Sequence, residues 1–365
     1  MPIQSFAVHP SKVFRTPEER FADLPGFPYI PRYGFLESLR YAFIDETSGI
    51  LHNGRELSAE EAKKVPSDQI HWETFLCLHG QPTWSYLYRR MIPVFLNHST
   101  AGNNKYIRRR VLAPDYFGCG RSDKPIDDDF YTFDMHQSFL IHFVRRHILE
   151  EGPRSGDVTM LLQGGILGFT LVPIFPELFT RLLVMNTALG LGKAPSKGWN
   201  EFHDFIKRSP DVNVGNIIAR GTTHLTPKEI AAYDAPHPNM QSKSSVRRFP
   251  PLVPRTRDMP GVPSSFAALG YISRLLPSQL RVFVAIGLKD PVLGEPVMEE
   301  LTKIAFSSVG SFVLKHPEAG HFVQEWGAPI AQKALDAWSV PQGQEDKVQI
   351  EGVEWRAVKA AAAKL

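Results

Sequence analysis

The stretch that most constrains this 365-residue chain is Asp157–Phe179, DVTMLLQGGILGFTLVPIFPELF. Val158 to Leu162 is an apolar run of strand length, interrupted only by Thr159. It stops at Gln163-Gly164-Gly165 and resumes at Ile166, Leu167, Phe169 and Thr170 with helix-like spacing. A strand, a sharp glycine turn and a helix lift one side chain above the end of a sheet, where it can serve as a nucleophile. This tip holds no nucleophile. Gln163 carries an amide that does not ionise, and two glycines follow it.

The rest of the chain supplies a sheet around that stretch. Arg40–Ile50 alternates as a strand should, and Thr74–Leu78, Arg110–Ala113, Leu182–Asn186, Arg281–Gly287 and Phe312–Lys315 are short apolar runs. Helical spacing at Trp84–Phe95 and Phe133–Leu149 falls between them. Short buried strands alternating with helices predict an α/β fold, with a mostly parallel sheet covered by helices on both faces. Residues 1–40 show no sustained period and read as an N-terminal arm. The charged segment Gly54–Gln69 reads as a surface insertion with a short helix at Ala59–Lys64. Residues 190–279 break the alternation with helical patches (Trp199–Lys207, Pro227–Tyr233) and a proline-rich run, Phe249–Pro263, as an inserted helical cap does. The core is then 41–189 and 280–340, with a tail at 341–365.

Charge excludes one class of partner. Lys+Arg 41 against Asp+Glu 38 leaves +3, too balanced for nucleic acid binding. Arg108-Arg109-Arg110 and Arg247-Arg248 read as solvated faces or loop ends. Cys77 and Cys119 have neither metal-ligand spacing nor a disulfide framework, which suits a reducing compartment. No apolar run is long enough to span a bilayer. No metal or organic cofactor is implied, since neither a ligand cluster nor a phosphate-cradling glycine loop is evident. The final Ala363-Lys364-Leu365 resembles the small-basic-leucine signal read by the peroxisomal import receptor, so the expected location is peroxisome or cytoplasm.

Three positions lie just past predicted strand ends, where ligands of such sheets bind: the elbow, Asp290 and His321. Their order, elbow then acid then histidine, is that of α/β-hydrolase triads. Asp115, at another strand end, reads as structural.

Longer matches accompany this order. His79-Gly80-Gln81-Pro82-Thr83-Trp84-Ser85-Tyr86-Leu87-Tyr88-Arg89, Ala113-Pro114-Asp115-Tyr116-Phe117-Gly118, Gly120-Arg121-Ser122-Asp123-Lys124-Pro125, Ala285-Ile286-Gly287-Leu288-Lys289-Asp290 and Ala319-Gly320-His321-Phe322-Val323-Gln324-Glu325 together resemble the haloalkane dehalogenases. The resemblance runs from about Phe35 to Trp338, with Val246-Arg247-Arg248-Phe249-Pro250 matching inside the cap. It implies an α/β-hydrolase fold and a small apolar substrate. An elbow aspartate attacks the halogen-bearing carbon to give an alkyl ester. His321 then activates water to hydrolyse it, with Asp290 orienting the imidazole. It also implies that Gln81 serves the oxyanion and halide site, and that Trp199, Phe202, Phe249 and Pro250 line the substrate pocket.

The chain departs from the family at the elbow. Where the family reads Gln-Asp-Trp-Gly-Gly, this chain reads Gln163-Gly164-Gly165. The nucleophile and the adjacent halide-binding tryptophan are missing between Gln163 and Gly164, and loss of a nucleophile costs on the order of a millionfold in rate. Three functions follow: a dehalogenase-type hydrolase with its nucleophile deleted, an inactive pseudoenzyme that binds a small molecule, or an epoxide hydrolase. The last needs cap tyrosines, and Tyr233 reads as lying on an exposed helix.

Overall fold

The computed structural model describes residues 7–98, 104–153, 156–347 and 349–358. In chain order the strands are β1 Val13–Phe14, β2 Arg32–Leu36, β3 Leu39–His52, β4 Arg55–Glu56, β5 Ile70–Leu78, β6 Tyr106–Pro114, β7 Lys124–Pro125, β8 Asp157–Leu162, β9 Phe179–Met185, β10 Arg281–Gly287, β11 Ser311–His316 and β12 Val353–Arg356. The main sheet runs β12-β11-β10-β9-β8-β5-β6-β3-β2, with β4 paired to β3 and a separate β1-β7 ribbon. Every pair from β6 across to β11 is parallel. The flanks β2-β3, β3-β6 and β11-β12 are antiparallel. Strands β8 and β10 are buried on both sides after their first residue, which is why they read as continuous apolar runs rather than alternating ones. This is the α/β-hydrolase architecture expected, and β8, which carries the elbow, lies near its middle.

The helices are α1 Ala59–Ala62, α2 Ile92–Asn97, α3 Phe133–Val144, α4 Gly165–Gly168, α5 Leu171–Ile174, α6 Lys197–Arg208, α7 Val214–Arg220, α8 Pro227–Asp234, α9 Ser244–Leu252, α10 Val262–Ile272, α11 Glu295–Ala305 and α12 Gly327–Ser339. Their starts are written locally. The Ser58 and Thr226 side chains cap α1 and α8 in reciprocal boxes with Glu61 and Glu229, and Thr132 and Ser196 cap α3 and α6. Helices α6 to α10 fall in the interval expected to form the cap.

Several expectations need correction. Arg32–Leu36 of the presumed arm is a sheet strand, and Val353–Arg356 of the presumed tail pairs with β11. Neither was visible because each is short and half-exposed. The arginine runs are not solvated faces. Arg109 pairs with Glu73 at 2.7 Å, Arg110 with Asp45 at 2.7 Å, and Arg247 with Asp128 at 2.6 Å. Tyr233 is buried, not exposed, and its hydroxyl donates to Glu325. The helix expected after the elbow is two single turns. Thr170 Oγ1 donates to the Leu167 carbonyl at 2.6 Å, and Pro173 has no N–H for the carbonyl of Phe169.

One buried cluster ties α8 to the core. Arg89 reaches Glu325 Oε1 at 2.5 Å and Oε2 at 2.7 Å, and Glu229 Oε1 at 2.8 Å. Arg90 bonds to the same two carboxylates. Glu325 lies four residues past His321.

Candidate active site

Four strand ends converge above the sheet: the elbow after β8, Asn186 after β9, Asp290 after β10 and His321 after β11. His321 Nδ1 is 2.8 Å from Asp290 Oδ2. A carboxylate only accepts, so Nδ1 holds the proton and Nε2 of the neutral ring is the free acceptor. The group facing Nε2, at 3.2 Å, is the Gln163 amide nitrogen. Gln163, Asp290 and His321, singled out in the sequence, are thus brought into one hydrogen-bonded row.

Asp290 is fixed from two more sides. Its Oδ2 also accepts from Asn186 Nδ2 at 2.9 Å, and its Oδ1 accepts from the Val292 N–H at 2.8 Å. Asn186 accepts in turn from the Gly287 N–H at 2.8 Å. It holds a left-handed backbone, φ 28°, which asparagine tolerates better than most residues. Sequence reasoning missed Asn186; the available signal was a polar residue closing an apolar strand.

Burial drives the His321 imidazole down, but the Asp290 charge and hydrogen bond outweigh it and leave its pKa raised. Burial likewise pushes Asp290 up, and the neighbouring His321 and the Val292 and Leu293 N–H groups more than offset it, so the carboxyl titrates low. Both shifts favour the charged pair. The arrangement is a base with its orienting acid: it can take a proton from a water or hydroxyl presented at Nε2.

The elbow itself is tight and unstrained. Among the described residues with positive φ, none is Gln163, Gly164 or Gly165, whereas a nucleophile elbow is a strained turn. Gly165 donates its N–H to Thr187 Oγ1 at 2.8 Å, and a Cβ there would lie 2.4 Å from that oxygen. A Cβ on Gly80 would meet Gln163 Oε1 at 2.1 Å. Gln163 therefore lies flat against the loop after β5, and its buried Oε1 has no partner among the described residues.

The Gln81 side chain donates from Nε2 to the buried Cys119 Sγ at 2.8 Å. Of the four expected pocket residues, Phe249 lines an apolar pocket with Phe133, His136, Ile166, Leu167, Leu252 and Val253. Trp199, Phe202 and Pro250 do not line it. Trp199 stacks instead on His203, ring centres 5.1 Å apart. Asp115 is structural, accepting from the Ser85 and Arg121 N–H groups.

One acid-histidine cluster, His71, Glu73 and Asp157, has the spacing of a metal site. Its carboxylates already pair with Arg109 and Arg181, so its charge is neutralised by arginine, and it sits at the opposite strand ends. Among the described residues no helix is long and apolar enough to cross a membrane.

Residues 73–154 match the family model for the alpha/beta hydrolase fold. A haloalkane dehalogenase of Psychrobacter cryohalolentis is 32% identical over 320 residues, spanning 86% of this chain and 93% of that protein. Haloalkane dehalogenase 1 of Mycobacterium bovis is 32% identical over 334 residues, spanning 88% and 97%. Among solved structures, the tetrameric haloalkane dehalogenase DpaA of Paraglaciecola agarilytica superposes with a TM-score of 0.74 at 38% identity, covering 90% of this chain and all of that one. With its hydrolase sheet, its ordered acid and histidine, and likeness along nearly its whole length, the chain belongs to the haloalkane dehalogenase family.

Proposed function

We propose that this protein is a dehalogenase-type hydrolase from whose elbow the nucleophile has been deleted, and that as it stands it binds small apolar molecules without turning them over. One observation carries this reading: the elbow group beside the His321 base is the neutral amide of Gln163, at 3.2 Å. A neutral amide cannot displace halide to form an alkyl ester. Asp290 and His321 would activate water for the second half of the reaction, with Asn186 holding the acid. Tyr233, engaged by Glu325 and Arg89, is not available to protonate an epoxide, which argues against epoxide hydrolysis.

The test is bromide release from 1-bromobutane, comparing the chain with a variant carrying Asp-Trp inserted between Gln163 and Gly164. Release by the repaired protein alone is the expected result. Release by both would refute the deletion of the nucleophile, and silence from a folded repaired protein would move the substrate to another class.

Import into peroxisomes rests on Ala363, Lys364 and Leu365, which lie outside the described residues, and the relatives compared above are bacterial. A fluorescent protein ending in the last residues of this chain would report punctate import if the receptor reads them, and diffuse signal if it does not.

A further inference from the structure

The two edges of the main sheet are finished differently. At one end the short β12 carries Glu354 and Arg356, and charge on an edge discourages another strand from adding to it. At the other end β2 (Arg32–Leu36) lies outermost and presents apolar side chains. Phe35 is 62% exposed and Tyr33 37%, and Ile30 just before the strand is 80% exposed.

The bonds made by β3 show which groups of β2 face outward. The Arg40 N–H donates to Asp123 Oδ2, and its carbonyl accepts from the Asp123 N–H. The Ala42 N–H donates to Ser122 Oγ, and its carbonyl accepts from the Asp115 N–H. Arg40 and Ala42 thus turn their backbone away from β2, where their register partners are Phe35 and Tyr33. Facing residues of an antiparallel pair either exchange both hydrogen bonds or both point away from each other. Tyr33 and Phe35 therefore direct their N–H and C=O groups off the sheet, and these four groups have no partner among the described residues.

Two such edges fit each other. When a two-fold axis at Gly34 relates two antiparallel β2 strands, Tyr33 lies opposite Phe35 of the second copy, and Phe35 opposite its Tyr33. Each facing pair exchanges two hydrogen bonds and sets one aromatic ring beside another. An axis at Tyr33 would set Phe35 against Pro31, which has no N–H. An axis at Phe35 would set Tyr33 against Glu37, which has left the strand with φ 52°. Only the Gly34 register uses all four groups, and glycine leaves no side chain between the Cα atoms, about 4.5 Å apart at the axis. Charge agrees with it: at each end the exposed Arg32 comes beside the exposed Glu37 of the second copy.

We infer that two copies of this protein associate through β2, each strand extending the other's sheet across a two-fold axis at Gly34. The interface is isologous and closed, so it makes dimers rather than filaments. Two five-residue strands lie at or below the roughly 1,200–2,000 Å² buried by stable interfaces, so the dimer is reversible and grows with concentration. The edge takes no part in the row of Gln163, His321 and Asp290, and the inference stands apart from the function proposed above.

The test is sedimentation equilibrium of the full-length protein between about 1 μM and 1 mM, which should show monomer and dimer in exchange. Phe35→Lys should weaken the dimer by about tenfold or more. Arg32→Glu should weaken it too, and adding Glu37→Arg should restore it, with circular dichroism confirming the fold of each variant. Crosslinking reads the register. Tyr33→Cys and Phe35→Cys are made as separate variants, and the native Cys77 and Cys119 are buried. Facing Cα atoms about 5.5 Å apart lie within disulfide range, so mild oxidation should give a covalent dimer from the mixture and not from either variant alone. A monomer throughout that range, an unweakened dimer in folded Phe35→Lys, or any other crosslinking pattern would overturn the inference. So would a monomer whose Tyr33 and Phe35 amides resist hydrogen exchange, because another stretch of the chain would then hold the edge.

Discussion

Replacing Arg89 by methionine tests whether the cap is held to the core by buried charge. Arg89 and Glu325 have side chains 2% and 0% exposed, and Glu229 is 11% exposed. In the intact cluster Arg89 and Arg90 balance Glu229 and Glu325. The substitution leaves two carboxylates against one half-exposed guanidinium. Unit charges about 4 Å apart at an effective dielectric of about 20 interact by about 4 kcal/mol. That agrees with the roughly 3–5 kcal/mol found when one partner of a buried pair is removed. At about 2.1 cal/mol/K per residue, unfolding 365 residues carries about 0.8 kcal/mol/K of entropy, so the melting temperature should fall by about 4–7 °C. Circular dichroism against temperature and urea measures both. Arg89→Met combined with Glu325→Leu should recover part of the loss, because no charge is then stranded beside the methionine. A single variant within about 0.5 kcal/mol of the parent would refute the view that this cluster is a stabilising clamp.

Other outcomes follow from the site. The His321 ring, followed by NMR, should titrate above the ordinary value of about 6.5, and Asp290→Asn should lower it. Because its folded pKa is raised, the stability His321 contributes is full below its ordinary pKa and lost as pH rises through the folded value; the depressed Asp290 sets the acid limit, losing its contribution as pH falls through its own lowered value. Asn186→Ala should cost about 1–3 kcal/mol in urea unfolding, since it strands Asp290 contacts and forces alanine into a left-handed backbone; no change would mean water replaces the amide freely. Gly165→Ala should cost a similar amount, about 1–3 kcal/mol, and pairing it with Thr187→Ala should relieve part of that. Added zinc should leave the melting temperature unchanged, as the His71–Glu73–Asp157 cluster is already neutralised by arginine; a rise that Asp157→Asn abolishes would show a real metal site.

The sequence was most legible where burial dictates composition. Arg281–Gly287 is a strand over the residues expected, because continuous apolar runs between helices have few other places to go. Asp290 and His321 were legible as a pair through their order and strand-end positions. What stayed hidden depended on partners distant in sequence. Arg109 and Arg110 look like surface charge until Glu73 and Asp45 are found beside them. Tyr233 looks exposed until Glu325 arrives from nearly a hundred residues away. The bond from Gln81 to Cys119 likewise joins residues far apart in sequence, and no local pattern announces it. The gap at the elbow was plain in the sequence, but not that Gln163 would turn its amide toward His321.

The pairing of β12 with β11 also gives the parallel core a finished border. A parallel sheet ending at β11 would present an open row of N–H and C=O groups to any passing strand. Val353–Arg356 occupies that row, Trp355 lies 4.8 Å from Phe312, and Arg356 pairs with Glu299 at 2.5 Å. The last described strand thus acts as a selvedge. Cutting it away would leave the fold's interior chemistry untouched while making the six-residue β11 the sheet's edge in place of a four-residue strand that carries Glu354 and Arg356.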